Sequence, residues 1–195
     1  MNNKKPLLII LVLFVALMVG ASVLYNNLGS SMAPSQLATQ PTATEAPTEN
    51  PGETQAEPQQ APDFTVYDAD GNPVNLHDYF GKPIVVNFWA SWCGPCKSEM
   101  PDFNEKYQEL GEEVQFLMIN MTDGSRETVE IASEFIAEKG YSFPVLYDTA
   151  SSAAITYGVY SIPTTFFIDA DGYPVVYAAG AISGDDLLRG IEMIR

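Results

Sequence analysis

Positive charge is scarce in this sequence. Nine Lys+Arg stand against 25 Asp+Glu in 195 residues, a formal net charge of −16. That deficit excludes the basic footprint nucleic acid requires and argues against docking on anionic lipid through a charged face. Histidine is reduced to His77 alone, so no histidine-based metal cluster can be built. Cysteine is reduced to Cys93 and Cys96, which excludes a disulfide framework. No cysteine stands directly behind the N-terminal apolar run, so a lipid-modified N-terminus is excluded as well. No internal repeat is visible.

One long hydrophobic run is present. Lys4 and Lys5 precede an apolar stretch beginning at Leu7, and no charged residue occurs from Pro6 to Leu24. At about 1.5 Å per residue this run spans roughly 28 Å, close to a hydrocarbon core. No Lys or Arg recurs before Lys82. The expectation is a single-pass anchor over 1–28 with its N-terminus cytoplasmic and the rest of the chain outside. Cleavage as a secretory signal, at Val19-Gly20-Ala21, is the alternative, and a domain outside the cytoplasm follows from either.

Residues 29–61 are Pro, Thr, Ala, Ser, Gln and Glu almost throughout, and contain no aromatic residue. Such a composition cannot bury enough apolar surface to offset its ordering entropy. The segment reads as a disordered tether with an r.m.s. reach of roughly 30 Å or more.

Residues 62–195 read as one folded domain. Phe64–Tyr67, the turn Asp68-Ala69-Asp70-Gly71-Asn72, and Val74 with Leu76 suggest a hairpin. Ile84–Ala90 is an apolar, β-branched and aromatic run typical of a strand buried on both faces. A helix is expected from about Cys93 to Leu110, then a strand over Val114–Ile119. Ser125 is a candidate cap for a helix ending near Lys139 and Gly140. Strands over Phe143–Tyr147, Thr164–Ile168 and Tyr173–Ala179 follow, with a short helix over Ser151–Tyr157. Ser183 and Asp186 suggest a capping box for a last helix to Ile194. The order ββ–β–α–β–α–β–α–β–β–α implies an α/β fold with a mixed sheet and helices on both faces.

The chemistry-bearing motif is Trp92-Cys93-Gly94-Pro95-Cys96-Lys97. Both cysteines fall where a strand gives way to a helix. Unpaired N–H groups and the positive dipole end favour a thiolate on the first cysteine. Cys93 is therefore the candidate nucleophile, and Cys96 the resolving thiol that closes the protein disulfide. Other uses of the pair fail on counting. Structural zinc needs four ligands, c-type haem attachment needs a histidine where Lys97 stands, and so short a disulfide loop gains little from cross-linking. A peroxidase would need a P-x-x-x-T-x-x-C loop, and Asn-Phe-Trp-Ala-Ser-Trp precedes Cys93 instead.

Several blocks resemble the TlpA/ResA-like thiol-disulfide oxidoreductases. They are Val86-Asn87-Phe88-Trp89-Ala90-Ser91-Trp92-Cys93-Gly94-Pro95-Cys96, then Glu99-Met100-Pro101, and Tyr157-Gly158-Val159 through Ile162-Pro163-Thr164-Thr165-Phe166-Phe167-Ile168-Asp169. Ala61-Pro62-Asp63-Phe64 and the hairpin resemble the extra N-terminal strands that this family shares with peroxiredoxins. The resemblance implies a thioredoxin-like fold: a central mixed sheet flanked by helices, with an additional N-terminal β-hairpin. It implies that Pro163 is cis and faces the cysteine pair, leaving the backbone of Ile162 free to pair with an extended substrate. It places Glu99 in the active site, where spacing alone puts it on one helix face with Cys96, able to exchange the Cys96 proton. Trp92 is expected to shield the disulfide and meet partners, whereas Trp89 belongs to the core. Gly94-Pro95 is the dipeptide of reducing thioredoxins. Those carry a titrating aspartate where Asn87 stands here, so proton handling must differ.

The redox group implied is the Cys93–Cys96 disulfide itself, with no further cofactor and no metal. The partners implied are disulfide-bearing exported proteins such as apo-cytochrome c, and a CcdA-like membrane thiol transporter as reductant. Oxidation or isomerisation would use the same residues, as would non-catalytic holding of a thiol protein. Monomer is the default. Pro101, inside the active-site helix, is expected to kink it. His77 is expected on the surface near the hairpin.

Overall fold

The computed structural model describes residues 37–39 and 59–195. The elements are β1 (Leu37–Thr39), β2 (Thr65–Tyr67), β3 (Pro73–Asn75), a 3₁₀ turn (Leu76–Tyr79), β4 (Ile84–Trp89), α1 (Gly94–Leu110), β5 (Gln115–Asn120), α2 (Val129–Lys139), β6 (Val145–Tyr147), α3 (Ser152–Thr156), β7 (Thr164–Ile168), β8 (Pro174–Ala179) and α4 (Gly184–Met193). Among the described residues the strands form one sheet in the order β1-β8-β7-β4-β5-β6-β2-β3. β4, β5 and β6 run parallel, and the other pairings are antiparallel. This is the mixed α/β sheet with an added N-terminal hairpin that the sequence implies.

β4 is buried along its whole length, as a central strand with both faces covered must be. Its side chains alternate between two cores. Val85 and Trp89 pack with Met100 and Phe103 of α1, Ala132 of α2, and Leu187 and Ile191 of α4. Ile84, Val86 and Phe88 pack with Phe64, Val66, Leu76, Ala153 and Phe166 on the other face. By the same alternation Asn87 faces α1, a polar residue on an otherwise apolar row. Pairing then brings three loops to one end of the sheet. Trp89 lies beside Asn120 of β5, and Phe88 beside Thr164 of β7. The loops β4–α1, β5–α2 and α3–β7 therefore meet around the cysteines.

α4 is held close to the sheet because Gly190 has no side chain. A Cβ built there overlaps the ring of Phe167, which is fully buried. Gly190→Ala is expected to destabilise the fold by up to about 2 kcal/mol. Overpacking costs about 1–3 kcal/mol, and the better helix propensity of alanine offsets roughly 1 kcal/mol of it. Urea denaturation of the two proteins measures this, and an unchanged or raised midpoint would show that Phe167 can yield.

Four sequence expectations need correction. α2 is capped by Thr128, whose hydroxyl accepts from Ile131 N–H, and not by Ser125. Asp123 Oδ1 accepts the N–H groups of Ser125, Arg126 and Glu127 at 2.7, 2.7 and 3.0 Å, so a tight turn delays the helix start. Within 29–61, Leu37–Thr39 pairs with β8. Composition weighs side-chain burial, whereas strand addition to an open edge uses the backbone. At the end of that segment Ala61 is buried, and its N–H donates to Gly172 O at 2.8 Å, which moves the domain boundary a few residues earlier. The strand expected over Phe143–Tyr147 begins only at Val145, after Pro144, which has no N–H to give. The expectations for 1–28 and for the rest of 29–58 lie outside the described residues.

Candidate active site

β4 ends at Trp89, and Ala90-Ser91-Trp92 leads into α1 with Cys93 as its N-cap. Pro95 sits in the first turn, where a missing N–H is harmless. Cys96 N–H donates to Cys93 Sγ at 3.1 Å. Cys93 and Cys96 are joined as a disulfide with a Cα–Cα distance of 5.3 Å. They differ in access: Cys93 is 4% exposed and Cys96 0%. Of the two residues only Cys93 touches the surface, so a partner approaches the pair from its side. When reduced, that sulfur lies on the positive end of a 17-residue helix, with an N–H already directed at it. This arrangement stabilises a thiolate.

Across from the pair, the Ile162–Pro163 bond is cis. Ile162 O stands 3.7 Å from Cys93 Sγ; the oxidised sulfur has no proton to give, so this is proximity alone. Gly180 N–H donates to Pro163 O at 2.8 Å, and Thr164 Oγ1 to Ser161 O at 2.8 Å, which fixes the loop. Beside it lies a shallow cleft lined by Trp92, Met121, Val159, Tyr160 and Ile162. Trp92 is 40% exposed and Tyr160 99%, so two aromatic rings flank the cleft in water. Trp89 is in the core as expected.

Glu99 lies one turn beyond Cys96 on α1 and is only 2% exposed. Its Oε1 accepts from Asn87 Nδ2 at 2.9 Å, and its Oε2 from Ile182 N–H at 3.0 Å. Burial pushes its pKa up to about 7, although the Ile182 and Asn87 donors pull the other way and Asp102 adds a small upward push. Asn87 Nδ2 also donates to Thr165 Oγ1 at 3.0 Å, while Asn87 Oδ1 has no partner. Burial outweighs two good hydrogen bonds, which leaves a carboxyl that titrates near neutrality. Of the sequence-predicted residues, Cys93 lies against Ile162 and Trp92 shares a cleft with it; Gly94 and Pro95 are exposed on the first turn of α1, whereas Cys96, Glu99 and Pro163 are buried. His77 stands apart, its Nε2 2.9 Å from Ala61 O.

A second buried carboxyl belongs to Glu127, which no sequence motif marks. It comes from the β5–α2 loop and is 0% exposed. Ser91 N–H donates to its Oε1 at 2.7 Å, Ser91 Oγ to its Oε2 at 2.6 Å, and Asn120 Nδ2 to its Oε1 at 2.6 Å. Next to it, the Arg126 guanidinium lies 3.8 Å from the centre of the Trp92 ring, a cation–π contact. No local spacing signals either residue. Among the described residues, no group of three or more His, Cys, Asp or Glu side chains is placed to hold a metal ion.

Residues 58–176 match the AhpC/TSA family. The thiol-disulfide oxidoreductase ResA of Geobacillus thermodenitrificans is 36% identical over 138 residues, covering 69% of this chain and 76% of that protein. ResA of a Bacillus cereus strain is 39% identical over 138 residues with the same coverage. Among solved structures, the exposed lipoprotein thioredoxin Etrx1 of Streptococcus pneumoniae superposes with a TM-score of 0.57 at 35% identity, covering 67% of this chain and 98% of that one. The match spans both cysteines, the buried Glu99 and the cis-proline loop. The chain belongs to the AhpC/TSA family and is, within it, a thiol-disulfide oxidoreductase of the ResA type.

Proposed function

We propose that the protein reduces disulfides of exported polypeptides outside the cytoplasm, held at the membrane by residues 1–28. The observation that carries the chemistry is the unequal placement of the two cysteines: Cys93 caps α1 and touches the surface, and Cys96 is enclosed behind it. The Cys93 thiolate attacks one sulfur of the substrate disulfide and releases the other as a thiolate. The Cys96 thiol loses its proton and attacks Cys93 Sγ, releasing the second substrate thiolate. Two electrons pass to the substrate, and the protein disulfide forms. Glu99 takes the Cys96 proton. The substrate lies extended beside Ile162 and Pro163, against Trp92 and across Gly94-Pro95.

Each turnover leaves the protein oxidised, so an external reductant must follow; a CcdA-like membrane thiol transporter fits that need. Apo-cytochrome c, with paired cysteines, is a substrate of the right kind. The Gly94-Pro95 dipeptide favours the reducing direction. The reduction potential of the Cys93–Cys96 pair in the full-length protein tests it. A value near or below about −240 mV is expected, on the thioredoxin side of the scale, whereas a value above about −180 mV would assign an oxidase or isomerase instead.

A further inference from the structure

Glu127 is an unusual residue to bury. A carboxylate without access to water is tolerated only where donors replace its hydration, and here all three donors are identified. Two belong to Ser91, in the turn between β4 and Cys93, and one to Asn120 at the end of β5. Asn120 is itself held, since its Oδ1 accepts from Thr122 Oγ1 at 2.8 Å. The loop that delivers Glu127 is also closed on itself. Asp123 Oδ1 gathers three backbone N–H groups, which holds its carboxyl below the usual carboxylate range, and Gly124 N–H donates to Glu127 O at 3.0 Å. The next residue back, Arg126, covers the Trp92 ring. The β5–α2 loop thus contacts both residues immediately before Cys93, and those contacts are polar and specific.

We propose that Glu127 is the positioning residue of the active-site turn: its carboxylate grips the N–H and hydroxyl of Ser91, with Arg126 over Trp92, and so fixes where Cys93 stands relative to Ile162 and Pro163. The need for such a grip follows from the chemistry. Cys93 changes partners during turnover, from Cys96 to a substrate sulfur and back, and each exchange requires three sulfurs nearly in line. The α1 side of Cys93 is anchored by the helix. The β4 side is a three-residue turn, Ala90-Ser91-Trp92, closed by the Cys93 N–H to Ala90 O bond at 3.1 Å and seated at Ala90 in the core, with Ser91 and Trp92 outside that packing. Glu127 anchors Ser91 in whichever direction electrons flow, so the inference is independent of the reductase assignment.

The test compares Glu127→Ala, Glu127→Asp and Glu127→Gln in the full-length protein, each reduced and then followed by iodoacetamide alkylation of Cys93 against pH and by exchange with a model peptide disulfide. Glutamine keeps an oxygen for Ser91 N–H, and its amide group can donate to Ser91 Oγ. It is expected to stay within about threefold of the parent rate. Alanine releases Ser91 altogether and is expected to slow peptide exchange roughly 30-fold and shift the alkylation pH profile. Aspartate is too short to hold Ser91 and Asn120 together and should fall between the two, which preserves the test if the alanine variant does not fold. A purely structural residue would lower the melting temperature of the alanine and aspartate variants and leave both rates and the profile unchanged. That result overturns the proposal. Equal loss in the glutamine and alanine variants also overturns it, because charge rather than grip would then be what matters.

Discussion

Cys93→Ser is expected to abolish disulfide exchange, whereas Cys96→Ser should halt it one step later, with substrate covalently attached. The two sulfurs are three residues apart and chemically identical, so only their surroundings can separate them. Cys93 caps α1, receives the Cys96 N–H at 3.1 Å, and is the cysteine with measurable exposure. Cys96 is fully buried beneath it. A serine at position 93 cannot form the mixed disulfide, and Cys96 cannot reach a partner to replace it, so the rate should fall to the uncatalysed background. A serine at position 96 leaves attack intact and removes resolution. The reduced variant mixed with a disulfide-bearing protein should then accumulate an adduct that runs as one heavier band without reductant and collapses with it. An adduct formed by the Cys93→Ser variant instead would invert the assignment of roles, and no adduct from either would remove covalent exchange from the proposed function.

Much of the fold could be read from local pattern. β4 is a six-residue buried run, apolar but for Asn87, and its handover to α1 at Cys93 follows from a strand signal meeting a helix cap. What could not be read is set by contacts distant in sequence. Glu99 looks like one more acidic residue on a charged helix. Its burial depends on Asn87 in β4 and on Ile182 in the β8–α4 loop, 83 residues away. Glu127 lies 36 residues from Ser91 and sits in an acidic stretch without distinguishing spacing. Ser125 fails as the cap of α2 for a nearer reason. Ser125 is a good cap in isolation, but Asp123 competes for the same N–H groups and takes them. The short β1 strand was hidden because polar composition says nothing about backbone pairing.

Glu99→Gln is expected to move two pH profiles at once, and the sign of each follows from burial. Within the fold, the Glu99 carboxyl holds its proton up to about pH 7, whereas an unfolded chain releases it near 4.5. Between those values the folded state binds more protons than the unfolded state, so stability falls as pH rises. The stabilising contribution is complete below about pH 4.5 and is lost by the time pH passes 7. A shift of this size corresponds to about 3 kcal/mol. Glutamine has no such proton, and its amide is accommodated: Ile182 N–H can keep its acceptor, and Asn87 can turn its unpartnered Oδ1 toward the new N–H. In the oxidised protein, where neither cysteine titrates, the variant should therefore gain stability relative to the parent on going from pH 5 to pH 8. Urea titrations at the two pH values measure the gain, and parallel curves would show that Glu99 ionises normally. The kinetic profile carries the mechanistic half. If Glu99 takes the Cys96 proton during resolution, exchange in the parent should show an inflection near pH 7 that the variant lacks, with resolution slowed roughly 100-fold. A variant that keeps the inflection would exclude Glu99 from proton transfer even if the stability shift appears. A buried carboxyl can be costly without being catalytic, and only the two profiles together distinguish a group that merely tolerates its site from one that uses it.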